Sequence, residues 1–188
     1  RFEDYISRNR PATSKVQTNY NTWWTLPGGY SEEEALTLLS TLKESLYDRY
    51  GICFDTFTID MGWSRPDGIW EINTDRFPDG FHNINRAVQE MGGRLGLWVS
   101  PSNIYSPSSF DNGWAKENGY EVIPTGGFRG GSAMCLAGEK YRSLFKQRLM
   151  EYVSRYDIMH IKFDGTITVC GETDHGHVTG GGERELIA

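Results

Sequence analysis

The chain has 188 residues, enough for one domain with a sizeable core or for part of a larger one. Its formal net charge of −6 and the absence of a basic run argue against nucleic acid or an anionic membrane surface as the main partner. No apolar stretch is long enough to span a bilayer, and three widely spaced cysteines form no disulfide framework, though one bridge has room to form. Aromatic residues make up 13% of the chain, which suits sugar stacking and ordinary core packing equally.

Residues 1–14 are polar and mixed and read as a tail or a linker from an upstream segment. Val16 to Trp24, rich in β-branched and aromatic residues, predicts a first strand, and Pro27-Gly28-Gly29 a turn. Ser31 with Glu34 three residues on is a capping box. The helix behind it carries Ala35, Leu38, Leu39, Leu42 and Leu46 at helical spacing and stops at Gly51. Cys53 to Met61 is a second strand, followed by a long polar and aromatic loop. Phe81 to Met91 is a short helix ended by Gly92-Gly93, and Arg94 to Val99 a third strand stopped by Pro101.

A Gly/Ser/Asn-rich loop then runs to about Leu136. Within it, Gly126 to Gly131 lacks the Lys and Ser/Thr of a phosphate loop and reads as a lid or crossover. Glu139 to Tyr156 is a helix, and Ile158 to Gly165 reads as a buried fourth strand. No element is expected over 165–188. The alternation β-α-β-α-β-α-β implies a parallel sheet with right-handed crossovers. Half of a (β/α)8 barrel and a small doubly wound sheet both fit; the lack of Gly-x-Gly-x-x-Gly weakens the nucleotide-binding form of the latter.

In either architecture ligands sit at the C-terminal strand ends. Side chains alternate along a strand, so parity sorts the candidates. Thr56, Thr58 and Asp60 share a face, as do Arg94, Gly96 and Trp98, and as do His160, Lys162 and Asp164; Asn21, Trp23 and Trp24 end the first strand. A lysine and a carboxylate at the mouth of an apolar strand are costly to bury unless paired or used. Lys162 is expected to hold Asp164 ionised, which makes Asp164 a candidate nucleophile. The plainer alternative is a structural ion pair. Asp60, expected at an open polar mouth, reads as a hydroxyl ligand rather than a proton donor. Trp63 reads as site-lining from its adjacency to Asp60, and His160 as a buried residue below the site. Cys170, Glu172, Asp174, His175 and His177 cluster, but His-Gly-His matches neither helical nor paired-finger zinc spacing. That segment is taken as a loop over the ligand, and no metal or other cofactor is expected.

Five motifs, in order, resemble those of α-galactosidases of glycoside hydrolase family 36 and its relatives in the melibiase clan. They are Asn21-Thr22-Trp23, Ile59-Asp60-Met61-Gly62-Trp63, Arg76-Phe77-Pro78-Asp79-Gly80, Gly96-Leu97-Trp98-Val99-Ser100-Pro101 and Ile161-Lys162-Phe163-Asp164. The resemblance covers about residues 19–165. It implies a (β/α)8 TIM barrel, of which residues 15–188 would be the N-terminal half, with about the first four βα units. It further implies retaining hydrolysis of terminal α-galactosides, with Asp164 as nucleophile and Asp60, Trp98 and Lys162 binding substrate. The partners it implies are an oligosaccharide or glycoside substrate, the missing half of the barrel and, as an open alternative, a second copy of the chain.

Two departures from the family pattern stand out. The family has Asp-Asp-Gly-Trp where this chain has Asp60-Met61-Gly62-Trp63. Its acid/base Asp lies on a later strand, so that group is expected beyond this chain, and these 188 residues alone are expected to be inactive. A non-catalytic sugar-binding remnant of the same barrel is the competing expectation.

Overall fold

The computed structural model describes residues 2–9, 16–66, 68–105, 112–125 and 132–177. In chain order the elements begin with α1 (Phe2–Asn9) and β1 (Asn19–Asn21), which runs into a 3-10 turn at Thr22–Trp24. Next is α2 (Glu32–Leu42), continued by a π turn at Lys43–Tyr47 into α3 (Asp48–Tyr50). Then come β2 (Thr56–Ile59), α4 (His82–Glu90) and β3 (Arg94–Val99). After them come α5 (Asn112–Glu117), β4 (Val122–Pro124), β5 (Ser132–Met134), α6 (Glu139–Tyr156) and β6 (His160–Phe163).

β1, β2, β3 and β6 form one parallel sheet in that order, an α/β half-barrel arrangement. Each neighbour is the next sheet strand in the chain, so the connections advance in one direction without a switch point. β4 and β5 pair antiparallel outside it, as a small hairpin in the connection between β3 and α6.

The local causes are those of the sequence. Ser31 and Glu34 form both halves of the capping box that starts α2, and Gly51 ends α3 with φ +66°. α2 buries Ala35 and Leu39, α4 buries Ile84 and Val88, and α6 buries Tyr141, Phe145, Tyr152 and Tyr156. Against these pack Phe57, Ile59, Leu95, Leu97 and Val99 from the outer face of the sheet. Ring contacts run through the layer: Trp63 meets Trp70, Phe81 and Tyr152 at 5.6–5.9 Å between centroids.

The inner face is polar near β1 and β2. Asn19 Nδ2 donates to Thr56 Oγ1 at 2.5 Å and to Thr58 Oγ1 at 2.7 Å. Gly96 is required beside them, because a Cβ there would strike Thr58 Oγ1.

Four expectations need correction. The stretch read as a tail carries α1, and the connection read as an irregular loop carries α5 and the β4–β5 hairpin. The fourth strand is not buried. β6 pairs only with β3 among the described residues, and Met159 and Phe163 on its outer side are 56% and 57% exposed. His160 is exposed for the same reason, not buried beneath a site. The stretch Gly126 to Gly131 lies outside the described residues.

Candidate functional site

Strand register assembles the site. Trp98 sits beside Lys162, one position before Val99 and Phe163 pair, and Asp164 N donates to Val99 O at 2.9 Å just past the ladder. Asp60 follows the last residue of β2. A cleft of about 230 Å³ at these strand ends is lined by Trp23, Asp60, Met61, Trp98, Tyr105, Lys162 and Asp164. Met61 and Tyr105 also line a neighbouring pocket of about 570 Å³, together with Gly28, Gly29 and Arg76.

The ion pair is not the one expected from the spacing. Lys162 Nζ reaches across β3 to Asp60 Oδ2 at 2.9 Å. Asp60 is 2% exposed and not at an open mouth; Asn21 Nδ2 also donates to Oδ2 at 2.7 Å, and Met61 N to Oδ1 at 2.9 Å. Three donors therefore hold this carboxylate in one orientation. A lysine on β6 is long enough to pass Trp98 and meet a carboxylate two strands away, whereas i and i+2 on one strand point side by side.

Asp164 is half-buried and has a different environment. Its carboxylate accepts one hydrogen bond among the described residues, from Trp98 Nε1 to Oδ2 at 3.2 Å. The indole thus does two things: its body forms part of the cleft wall and its N–H orients Asp164. Trp98 is in turn fixed from outside the sheet, since Trp63 Nε1 donates to Trp98 O at 2.9 Å. Trp63 itself has no exposed surface and does not line the cleft. It is a support under β3, because the chain turns at Gly62 and carries the following indole into the layer between sheet and α6.

Several contributors were not singled out from the sequence. Tyr105 lines the cleft and lies so close over Gly165 that a side chain there would meet its ring; Gly165 also has φ +67°. Ser100 Oγ donates to Gly165 O at 3.2 Å, and Ser102 Oγ accepts from Ile167 N at 2.7 Å. These two buried serines clamp the loop after β3 onto the segment after Asp164. The sequence signal was Ser100-Pro101-Ser102 at a strand end, which parity arguments do not weigh. Trp23 lines the cleft at 40% exposure, while Trp24 faces solvent at 83%. No residue between Cys170 and His177 lines the cleft, so that segment is not a loop over it.

The arrangement can bind a polyhydroxylated ring. It offers a fixed carboxylate, an ammonium with two further N–H donors, aromatic walls, and a second carboxylate with free lone pairs. Comparison with known proteins finds α-galactosidases. The α-galactosidase AgaA of Geobacillus stearothermophilus is 28% identical over 96 residues, which are 47% of this chain and 12% of that protein. The chain is similar to α-galactosidases of glycoside hydrolase family 36. The structure of AgaB, a family 36 α-galactosidase of the same organism, matches with TM-score 0.66 and 19% identity over 93% of this chain and 24% of that one. The Thermus thermophilus α-galactosidase TtGalA, solved with p-nitrophenyl α-D-galactopyranoside, matches with TM-score 0.60 and 23% identity over 82% of this chain and 32% of that one. No protein-family model matches the sequence. The chain spans about an eighth of the length of the curated relative and a quarter to a third of these two solved chains.

Proposed function

We propose that this chain is the N-terminal half of the (β/α)8 barrel of a retaining glycoside hydrolase. It acts on terminal α-linked galactose-type sugars, with Asp164 as nucleophile. The observation that carries the reading is the pairing of Asp164 with the Asp60–Lys162 ion pair in one aromatic-walled cleft at the C-terminal strand ends. A nucleophile needs an oriented carboxylate with a lone pair left for carbon. Asp164 accepts a single indole N–H and meets that need; Asp60, with three donors, does not.

Asp164 attacks the anomeric carbon as the glycosidic C–O bond breaks, giving a glycosyl ester and a leaving alcohol that takes a proton from a general acid. The same acid, now a base, removes a proton from water, which cleaves the ester and releases the sugar. That acid/base carboxylate is assigned outside these 188 residues. The open far side of β6, with Met159 and Phe163 exposed, fits further strands completing the barrel. Lys162 and Asp60 hold ring hydroxyls, Trp98 and Trp23 face the ring, and Trp63 acts through Trp98. Substrates of the raffinose type, found bound in an AgaA structure, suit the larger pocket beyond Met61 and Tyr105 as the place for the leaving saccharide.

Met61 favours one competing reading, a sugar-binding remnant without chemistry. Its thioether lines the cleft where the resembled motif carries a second carboxylate. Reaction of the protein carrying this chain with a ring-fluorinated α-galactosyl reagent separates the two. Peptide mapping is expected to find the label on Asp164, and Asp164→Asn is expected to lower kcat on the order of 10⁴-fold. A label on another residue, or an Asp164→Asn variant with full activity, defeats the assignment.

A further inference from the structure

A second constellation lies away from the cleft. One liganding atom each from Cys135, Cys170, His175 and His177 lies within 4.8 Å of the other three. Both cysteines are fully buried, and both are free thiols. Cys170 Sγ is 3.2 Å from His175 Nδ1, and the His175 side chain is 4% exposed. With zinc–sulfur bonds of about 2.3 Å and zinc–nitrogen bonds of about 2.0 Å, a tetrahedron places its ligand atoms roughly 3.3–3.8 Å apart. The observed cluster needs only a small contraction to reach that geometry.

The surroundings are those of a metal-ligand shell. Glu121 Oε1 accepts from Gly176 N at 3.0 Å, which fixes the backbone between the two histidines. Its other oxygen, Oε2, is buried with no hydrogen-bond partner and lies 3.9 Å from His175 Nδ1. A thiol sulfur at hydrogen-bond distance and, farther out, a carboxylate oxygen without a hydrogen-bond partner thus face one ring nitrogen, surroundings that suit a cation. Asp174 Oδ1 lies 3.8 Å from the opposite nitrogen, His175 Nε2, beyond hydrogen-bond distance but on the side from which a carboxylate can orient a metal-bound imidazole.

Beyond the Ser100 and Ser102 bonds at Gly165 and Ile167 and the Glu121 bond to Gly176 N, the segment has no regular structure to hold its shape. Residues 164–177 contain no helix or strand. Their apolar support is a small cluster of Ile123, Cys135 and Cys170 flanked by Leu136, Ala137 and Ile167, separate from the main core. His-Gly-His with one nearby cysteine does not make a zinc motif by spacing. The fold adds Cys135, just past β5 and on the other side of α6 in sequence.

We propose that Cys135, Cys170, His175 and His177 bind one zinc ion in a closed, four-coordinate structural site. Binding Zn²⁺ releases the two thiol protons and leaves no open position for catalysis. The ion ties the β4–β5 hairpin to the segment that follows Asp164, and so braces the rim of the cleft from outside.

The test is metal analysis of the protein carrying this chain, purified without chelator or added metal and with a phosphine reductant. About one zinc per chain is expected. Exchange with Co²⁺ is expected to give the intense visible bands of tetrahedral cobalt and sulfur-to-cobalt charge transfer, which reads the ligand set without any substitution. Cys135→Ser and His177→Ala are each expected to lower bound zinc about tenfold or more. His160→Ala, at an exposed histidine outside the cluster, keeps it. Less than a tenth of an equivalent of zinc, together with no cobalt–thiolate band on titration, overturns the proposal. So does a Cys135–Cys170 disulfide found by mass mapping of protein prepared without reductant.

Discussion

The two faces of the parallel sheet are built from different materials. The outer face is a continuous aromatic and aliphatic layer, in which Trp63, Trp70, Phe81, Tyr141, Tyr152 and Tyr156 are all buried. The inner face is a set of specific polar contacts: Asn19 on two threonines, Asn21 and Lys162 on Asp60, Trp98 on Asp164. Stability should reside in the first face and ligand chemistry in the second, with Trp63 Nε1 to Trp98 O as one direct link between them.

The largest expected difference tests that division. Trp63→Ala removes a fully buried indole from the centre of the aromatic layer and should cost about 3–5 kcal/mol of stability. Asp164→Asn keeps the shape of a half-buried side chain with one hydrogen bond and should stay within about 0.5 kcal/mol. Urea unfolding of both variants checks this. An Asp164 variant as unstable as the Trp63 variant would show that the cleft, too, is part of the folding core.

A smaller effect is expected where the inner face does contribute to stability. Lys162→Met leaves Asp60, whose side chain is 4% exposed, without its cation. Breaking a buried pair typically costs about 3–5 kcal/mol, but Lys162 is 38% exposed and Asn21 and Met61 N still donate to Asp60, so about 2 kcal/mol is expected. Adding Asp60→Asn in the same chain should recover part of that loss, because the uncompensated charge is gone. A double variant no better than Lys162→Met would mean that the loss comes from packing of the lysine stem.

The division also explains which parts of the molecule were legible in the sequence. The start of α2, announced by its capping box, the helix α6, announced by its apolar spacing, and the strand Arg94–Val99 agree closely with their expected positions. Parity sorted Asp60, Trp98, Lys162 and Asp164 onto one cleft, because alternation along a strand is a local property. What failed depended on relations between strands. Lys162 was paired with Asp164 because they share a strand, whereas register and side-chain length give it Asp60. Trp63 was placed in the cleft because it follows Asp60 closely, whereas the turn at Gly62 sends it to the other face. The role of Cys135 was invisible for the same reason, since its neighbours come from beyond α6.

The link between the faces predicts a specific weakness in alkali. Burial pushes the phenols of Tyr30, Tyr141 and Tyr152 well above the ordinary value near 10. Each donates to a carbonyl of a site-bearing loop: Tyr30 to Asp60 O at 3.2 Å, Tyr141 to Pro101 O at 2.7 Å and Tyr152 to Trp70 O at 2.6 Å. Below pH 10 all three are protonated in folded and unfolded chains alike, so their stabilising effect is fully present. As pH rises past 10 the unfolded phenols lose protons and the buried ones do not. Ionisation then favours the unfolded chain until the folded phenols also titrate. Each tyrosine can remove up to about 1.4 kcal/mol of stability per pH unit in that window. The urea midpoint should fall progressively more steeply above pH 10, and Tyr141→Phe should reduce the slope even as it lowers the midpoint by losing its hydrogen bond. An unchanged slope in Tyr141→Phe, Tyr152→Phe and Tyr30→Phe alike would move the alkaline weakness to other groups and break the link between aromatic layer and rim.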